Sequence, residues 1–458
     1  MYMLRRHPKA GSPLREKNMK VLVYTLALQF ALCYAPLHAA DTPTPKPNIV
    51  LILADDLGYG DLSCQGHPDY KTPHIDRLAG EGIRLTQFTV SAPLCSPSRA
   101  AILTGKFPAR FGIISALYST TNKQIGQPDW LDPRALTLPR LLQENGFNTA
   151  IRGKWHLVEE REAGTADAPQ PPAYGFMSWE LMRGPWNGKL KPVESFDSAI
   201  QYLRERPKLP FFLEITAHEP HVPYIASKEA VAANAHLDER SRKYAASVPD
   251  LDRGVARILA ALRELHLDTN TLVIFTSDNG AAGWTDDPNA SHGQYYNRGS
   301  NGIFRGHKGD LYEGGLREPF IARWPGRIPA GKVDSNSVVS GVDMLPTLAA
   351  AAGVKVPAEY QGDGENRLAV LEGKPAPRRK PLFWRTVSQL AVREGDWKLV
   401  TKTDGSQAEL FDLATDPKES RNLASDRPEE AARLSKTLRT WFDTLPKQVD
   451  PACCSKAR

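Results

Sequence analysis

A chain of 458 residues with 41% hydrophobic and 24% charged residues has the make-up of a globular protein, which excludes a disordered or fibrous chain. Its net charge of +6 is unevenly placed, because residues 1–40 carry Arg5, Arg6, Lys9, Arg15, Lys17 and Lys20 against Glu16, leaving 52 basic and 51 acidic residues beyond them. That near-neutral remainder excludes a broad nucleic-acid-binding surface.

In chain order, the first element is a leader. Its basic residues precede an apolar run from Val21, and Ala39 and Ala40 offer a cleavage site, so residues 1–40 read as a signal peptide. This points to a periplasmic or secreted protein. The run is short for a membrane span and contains Gln29, so no stable membrane insertion is expected after cleavage. Met1, Met3 and Met19 are alternative starts. Of five cysteines, Cys33 leaves with the leader, and Cys64, Cys95, Cys453 and Cys454 are too sparse for a disulfide framework.

NIVLILADDLG, from Asn48 to Gly58, is an apolar run that stops at Asp55 and Asp56. Unbroken apolarity predicts a strand buried on both faces, as in a parallel sheet. TLVIFTSDNG repeats the pattern and ends in Asp278, Asn279 and Gly280. Ligands of open α/β sheets sit beyond the carboxyl ends of strands. Two such strands would collect four oxygen-bearing side chains, a donor set for a hard divalent cation. Either acidic pair alone also serves as ordinary turn or cap chemistry.

Further strands are predicted at 147–153 and 210–218, with helices at 137–147 and 247–267. The alternation predicts an α/β fold with a large, mainly parallel sheet flanked by helices. PLCSPSRAAILTG places Ser96 as a helix N-cap, Pro97 as the first helical residue and Gly105 as the terminator. Cys95 then sits ahead of a helix N-terminus, where an anion is favoured, with Arg99 in the first turn. An inert buried thiol and a thiolate of lowered pKa are the readings this geometry leaves open.

C-S-P-S-R followed by AAILTGKFPARFG resembles the signature of the type I sulfatases of the alkaline phosphatase superfamily. Companion stretches occur in order: ADDLGYGD (54–61), TPHIDRLAGEG (72–82), GKWH (153–156), AHEPH (217–221), SDNG (277–280) and GHKGDLYEGGLREP (306–319). WKLV (397–400) and ELFDLATDPKESRNLA (409–424) complete the likeness.

The resemblance implies that a maturase oxidises Cys95 to Cα-formylglycine, whose hydrate attacks sulfur. It implies one Ca²⁺ held by Asp55, Asp56, Asp278 and Asn279 with the modified Cys95. Arg99 would favour the ionised hydrate, and Lys154 and Lys308 would hold the sulfate oxygens. His218 would protonate the leaving oxygen, and His156 would take a proton as sulfate is expelled. His221 is placed near substrate without a firm role.

The resemblance further implies an alkaline phosphatase-like catalytic domain at 46–377. A C-terminal subdomain at 381–450 would hold a small antiparallel sheet and a helix near 428–445. The expected reaction is release of sulfate from a sulfated carbohydrate or small sulfate ester. A phosphonate or phosphodiester hydrolase of the same superfamily and a non-catalytic glycan-binding relative are the alternatives. Trp179, Trp186, Trp284, Tyr295 and Tyr296 are candidate sugar-stacking residues in segments that would set specificity.

Overall fold

Asn48–Ala54 forms strand β1, and every one of its residues is buried. Side-chain alternation sends Ile49, Leu51 and Leu53 into one core and Val50, Ile52 and Ala54 into another. Each such aliphatic side chain contributes about 1.5–3 kcal/mol by leaving water, and the one polar residue, Asn48 at the strand's start, is hydrogen-bonded to Thr271 and Phe211. The computed structural model describes residues 45–158, 167–182, 190–237, 239–282 and 299–456. The leader expected at 1–40, Trp186, Trp284, Tyr295 and Tyr296 lie outside the described residues. No helix among the described residues is long and apolar enough to cross a membrane.

The next strands are β2 (Ile83–Leu85), β3 (Phe88–Thr89), β4 (Asn148–Gly153), β5 (Ser178–Leu181), β6 (Phe211–Thr216) and β7 (Thr271–Ser277). They are followed by β8 (Phe320–Arg323), β9 (Lys332–Asp334) and β10 (Val339–Ser340). Eight of them make one sheet in the order β5-β4-β6-β1-β7-β8-β2-β9, while β3 pairs with β10. The run from β5 to β7 is parallel throughout, and β8 is antiparallel to both of its neighbours.

Helices cover both faces, as expected. Glu194–Arg204 and Glu239–Glu264 bury Phe196, Leu203, Val248 and Leu251 on one side. Cys95–Thr104, Leu138–Glu144 and Met344–Ala351 pack on the other. The helix expected at 247–267 begins earlier, at Glu239, and carries Pro249 in its interior. Proline inside a helix costs about 3 kcal/mol, which is why it reads as a start. Here burial of Tyr244, Ala245, Val248 and Leu251 on either side offsets that cost.

A second sheet of β11 (Leu382–Arg385), β12 (Gln389–Glu394), β13 (Trp397–Lys402) and β14 (Glu409–Asp412) is an antiparallel meander. The helix Pro428–Asp443 packs on it, with Trp441 stacked on Phe383 at 4.7 Å between ring centroids. Trp384 joins this layer to the main core by donating Nε1–H to the Val90 carbonyl at 2.8 Å. The small C-terminal sheet with its helix is thus present as expected.

Candidate active site

Strand order collects the site. β4, β6, β1 and β7 are consecutive parallel neighbours, so their carboxyl ends open on one edge. Ala54 pairs with Ser277, which sets Asp55 and Asp278 side by side; Asp278 N donates to the Ala54 carbonyl at 3.1 Å. Gly153 pairs with Thr216, and Lys154 N donates to the Thr216 carbonyl at 3.0 Å. Lys154 and His156 therefore emerge beside His218 and His221.

Asp55, Asp56 and Asp278 are buried and face three cations. Lys154 Nζ lies 2.7 Å from Asp55 Oδ2, Lys308 Nζ 2.6 Å from Asp56 Oδ1, and Arg99 Nη2 2.7 Å from Asp278 Oδ2. Arg99 Nη2 also approaches Asp55 Oδ2 at 3.4 Å. Burial pushes the Asp55 carboxyl up, but Lys154, His221, Arg99 and Lys308 outweigh it and hold it well below the usual range. Asp56 is lowered in the same way, mainly by Lys308 against burial. Burial, reinforced by the charge of Asp55, pushes Asp278 up to about 7. Asp56 sits at φ 62°, a left-handed conformation that turns it toward Lys308 and Asn279.

Asn279 donates Nδ2–H to Asp56 Oδ1 at 2.7 Å, while its Oδ1 is buried with no hydrogen-bond partner among the described residues. A buried orphan acceptor costs about 1–3 kcal/mol. Beside three carboxylates it is an oxygen donor awaiting a cation, so these residues fit a hard divalent ion.

The helix Cys95–Thr104 is buried along its whole length and ends at Gly105, whose φ of 65° makes the left-handed cap. It starts two residues earlier than expected: Leu94 is the N-cap and Cys95 is the first helical residue. The Ser96 hydroxyl does not cap the helix, because it accepts the Leu117 N–H at 3.0 Å. Cys95 Sγ is 3.7 Å from Asp55 Oδ1. Burial pushes its thiol up to about 12, opposite to the lowering a thiolate nucleophile needs.

The histidines divide unequally. His156 is completely buried, adopts φ 49°, and its ring lies 5.4 Å from that of Tyr118. His218 Nε2 is 3.1 Å from the Pro223 carbonyl, and burial lowers its pKa. His221 Nε2 is 3.6 Å from Asp56 Oδ2. Asp55, Asp56, Cys95 and His221 each place a ligand atom within 4.8 Å of the others. Burial lowers the His221 pKa to about 3.

The structure thus brings together Asp55, Asp56, Cys95, Arg99, Lys154, Asp278, Asn279 and Lys308, and adds His221, which sequence reasoning left without a role. Its signal was present in AHEPH, where two histidines flank a proline turn. Glu214 was missed altogether. It lies on β6 between Leu51 and Ile151, buried, with Oε2 unpartnered among the described residues. Trp179 is 45% exposed on the sheet-edge strand β5, opposite Ile151 rather than at the strand's end.

Fold and site together define an α/β enzyme of alkaline phosphatase-like architecture, with three cations set against three carboxylates at the ends of its central strands. Residues 47–354 match the sulfatase family model, and residues 299–448 match the model described as N-sulphoglucosamine sulphohydrolase, C-terminal. The chain belongs to the sulfatase family and is an enzyme hydrolysing sulfate esters. It is 35% identical to N-acetylgalactosamine-6-sulfatase of Canis lupus familiaris over 81% of this chain and 74% of that protein. It is 32% identical to Homo sapiens arylsulfatase A over 89% and 92%. The solved structure of Ps i-CgsB in complex with k-i-k-neocarrahexaose superposes with a TM-score of 0.73 at 29% identity, covering 86% of this chain and 92% of that one.

Proposed function

We propose that this sulfatase releases inorganic sulfate from a sulfated carbohydrate, with small aryl sulfates as surrogate substrates. The reading is carried by the convergence of Cys95 with three carboxylates and three cations on one sheet edge. The relatives named for N-acetylgalactosamine-6-sulfate and solved with neocarrahexaose support the carbohydrate class.

Cys95 marks the place of a formylglycine, whose hydrate would supply one hydroxyl as nucleophile and a second whose loss of a proton reforms the aldehyde as the sulfate on the first is expelled. Cys95 is 1% exposed in a fully buried helix, so a formylglycine-generating maturase must act before the chain folds. Asp55, Asp56, Asp278 and Asn279, with the residue at 95, would hold one Ca²⁺, which supplies positive charge beside the nucleophile. Lys154 and Lys308 hold sulfate oxygens and offset charge that builds in the transition state. Arg99 favours ionisation at position 95, and Asp278 takes the proton.

His156 takes a proton as sulfate leaves. Proton donation to the leaving oxygen falls to the His218–His221 pair, whose rings are 5.4 Å apart. Sequence reasoning gave this role to His218, but geometry favours His221, whose pKa, held low by burial, is raised by the negative charge of a bound sulfate ester. The His218 Nε2 contact with a carbonyl engages that nitrogen, whereas His221 reaches the Cys95 cluster. Export through the leader at 1–40 places the enzyme in the periplasm or outside the cell, where it meets such glycans.

The test is mass spectrometry of the peptide spanning Cys95, from protein made with a maturase, beside assays on sulfated saccharides and phosphodiesters. The expected peptide has oxygen in place of sulfur and two fewer hydrogens, and sulfated saccharides turn over faster. An active enzyme whose Cys95 is entirely thiol would sink the formylglycine reading. Faster phosphodiester cleavage would replace the substrate reading.

A further inference from the structure

Lys308 reaches the site from a tightly folded loop. Gly314 N donates to the Arg305 carbonyl at 2.7 Å, and His307 N to Asp310 Oδ2 at 3.0 Å. A Cβ on Gly314 would fall 2.2 Å from the Gly306 oxygen, and one on Gly315 2.3 Å from the Asp310 oxygen, so the loop closes to backbone contact. The main sheet's side holds the tip, through Lys308 N to the Ala281 carbonyl (3.0 Å) and Gly309 N to the Pro93 carbonyl (2.9 Å).

Both ends of the loop are gripped by the C-terminal sheet. Glu409, the first residue of β14, accepts from the Tyr312 hydroxyl and from Arg305 Nη1, the latter at 3.3 Å. Arg305 also donates to the Glu419 carbonyl at 3.2 Å, and its guanidinium lies 3.8 Å from the Tyr312 ring centroid. At the far end, wholly buried Lys398 of β13 bridges Glu313 and Glu419 at 2.8 Å each, and Glu313 N donates to Glu419 Oε2 at 2.6 Å.

We propose that Glu409 is a positioning residue for Lys308: by clamping Arg305 and Tyr312, the C-terminal sheet sets where the Lys308 ammonium meets the sulfate. This rests on the reading of Lys308 as a sulfate-holding residue. The two clamped residues stand on either side of Lys308, so loosening them leaves the tip held by its two backbone hydrogen bonds and widens the range its ammonium samples. A displaced ammonium loses catalytic effect steeply, because positioning is itself a large part of the rate gain.

Truncating Lys398 would strip buried Glu419 of its cation and leave Glu313 with Arg317 alone, which threatens the fold. Glu409 avoids this, since its side chain is 28% exposed and lies outside that buried cluster. The experiment uses the mature full chain and compares Glu409→Ala, Lys308→Ala and the double variant. Three readouts are kcat/KM on a sulfate ester, inhibition by inorganic sulfate, and amide hydrogen exchange over 305–314.

Glu409→Ala is expected to lower kcat/KM about tenfold, weaken sulfate inhibition by a similar factor and speed exchange in the loop. The double variant is expected to be no worse than Lys308→Ala, because both changes act on one ammonium. Losses that multiply in the double variant, or unchanged exchange and activity in Glu409→Ala, would overturn the proposal. Should Lys308→Ala alone retain full activity, the sulfate-holding reading fails, and exchange still decides whether Glu409 holds the loop.

Discussion

Arg99 delivers both Nε and Nη2 to one oxygen of Asp278, at 2.9 and 2.7 Å, and so ties the helix that begins at Cys95 to the end of β7. Asp278 also accepts Asp56 N–H through its other oxygen at 3.3 Å. One carboxylate therefore registers three segments of the site. Asp278→Asn keeps an acceptor but removes the charge. It is expected to cut kcat/KM by about 10²–10³. Wild-type protein stripped with chelator should gain melting temperature on adding Ca²⁺, and the variant should not. A wild-type-sized Ca²⁺ shift in Asp278→Asn would remove Asp278 from the ligand set.

The two histidines of AHEPH separate by leaving group. His221→Ala is expected to lose about 10²–10⁴ in kcat/KM on a sugar sulfate, and less on aryl sulfates whose leaving groups need no proton. His218→Ala should show a smaller loss with little dependence on leaving-group pKa. Kinetics across a series of substituted aryl sulfates would decide, and a steep slope confined to His218→Ala returns the role to His218.

Glu214 is expected to make stability fall as pH rises. Burial pushes its carboxyl from 4.5 up to about 7, against a smaller opposing pull from Arg99. A raised folded value means the neutral form is favoured in the fold. Its contribution is complete below the unfolded value and is lost as pH climbs through about 7. Glu214→Gln removes the ionisation. Relative to wild type it should gain on the order of 3 kcal/mol between pH 5 and pH 8. Urea unfolding of both proteins at the two pH values measures this, and parallel pH dependence would rule it out.

Gly153 has φ 112°, and a Cβ there would lie 2.0 Å from the Thr216 oxygen, the acceptor of Lys154 N–H. Gly153→Ala is expected to cost about 1–3 kcal/mol or more in backbone strain and clash, and to abolish activity by moving Lys154. Gly146, at φ 86° with open space around it, is the control. Gly146→Ala should cost about 1 kcal/mol and leave activity intact. Melting curves and assays of the pair check both, and equal effects would remove the close-approach argument.

Much of the site was legible because acids directly after apolar strands must land on one edge of a parallel sheet. Asp55, Asp56, Asp278 and Asn279 follow from that rule, and the CSPSR stretch named Cys95 and Arg99. Lys308 was found only through resemblance, since no periodicity marks a loop. His221 was left without a role because its approach to Asp56 depends on how the turn after β6 folds back, which spacing does not encode. Glu214 stayed hidden because one acid in FFLEIT looks like an edge position, and only strand order shows β6 lies between β4 and β1. Ser96 was misplaced because its hydroxyl has a partner, Leu117, 21 residues away.

β5 closes the main sheet on one side, and its last residue, Leu181, pairs with Gly153, immediately before Lys154. A strand with a neighbour on one side only can be followed by a longer or shorter excursion without disturbing any rung of the ladder behind it. A longer or shorter segment after Leu181 can therefore change what lies beside Lys154 while the rungs that place the lysine stay as they are.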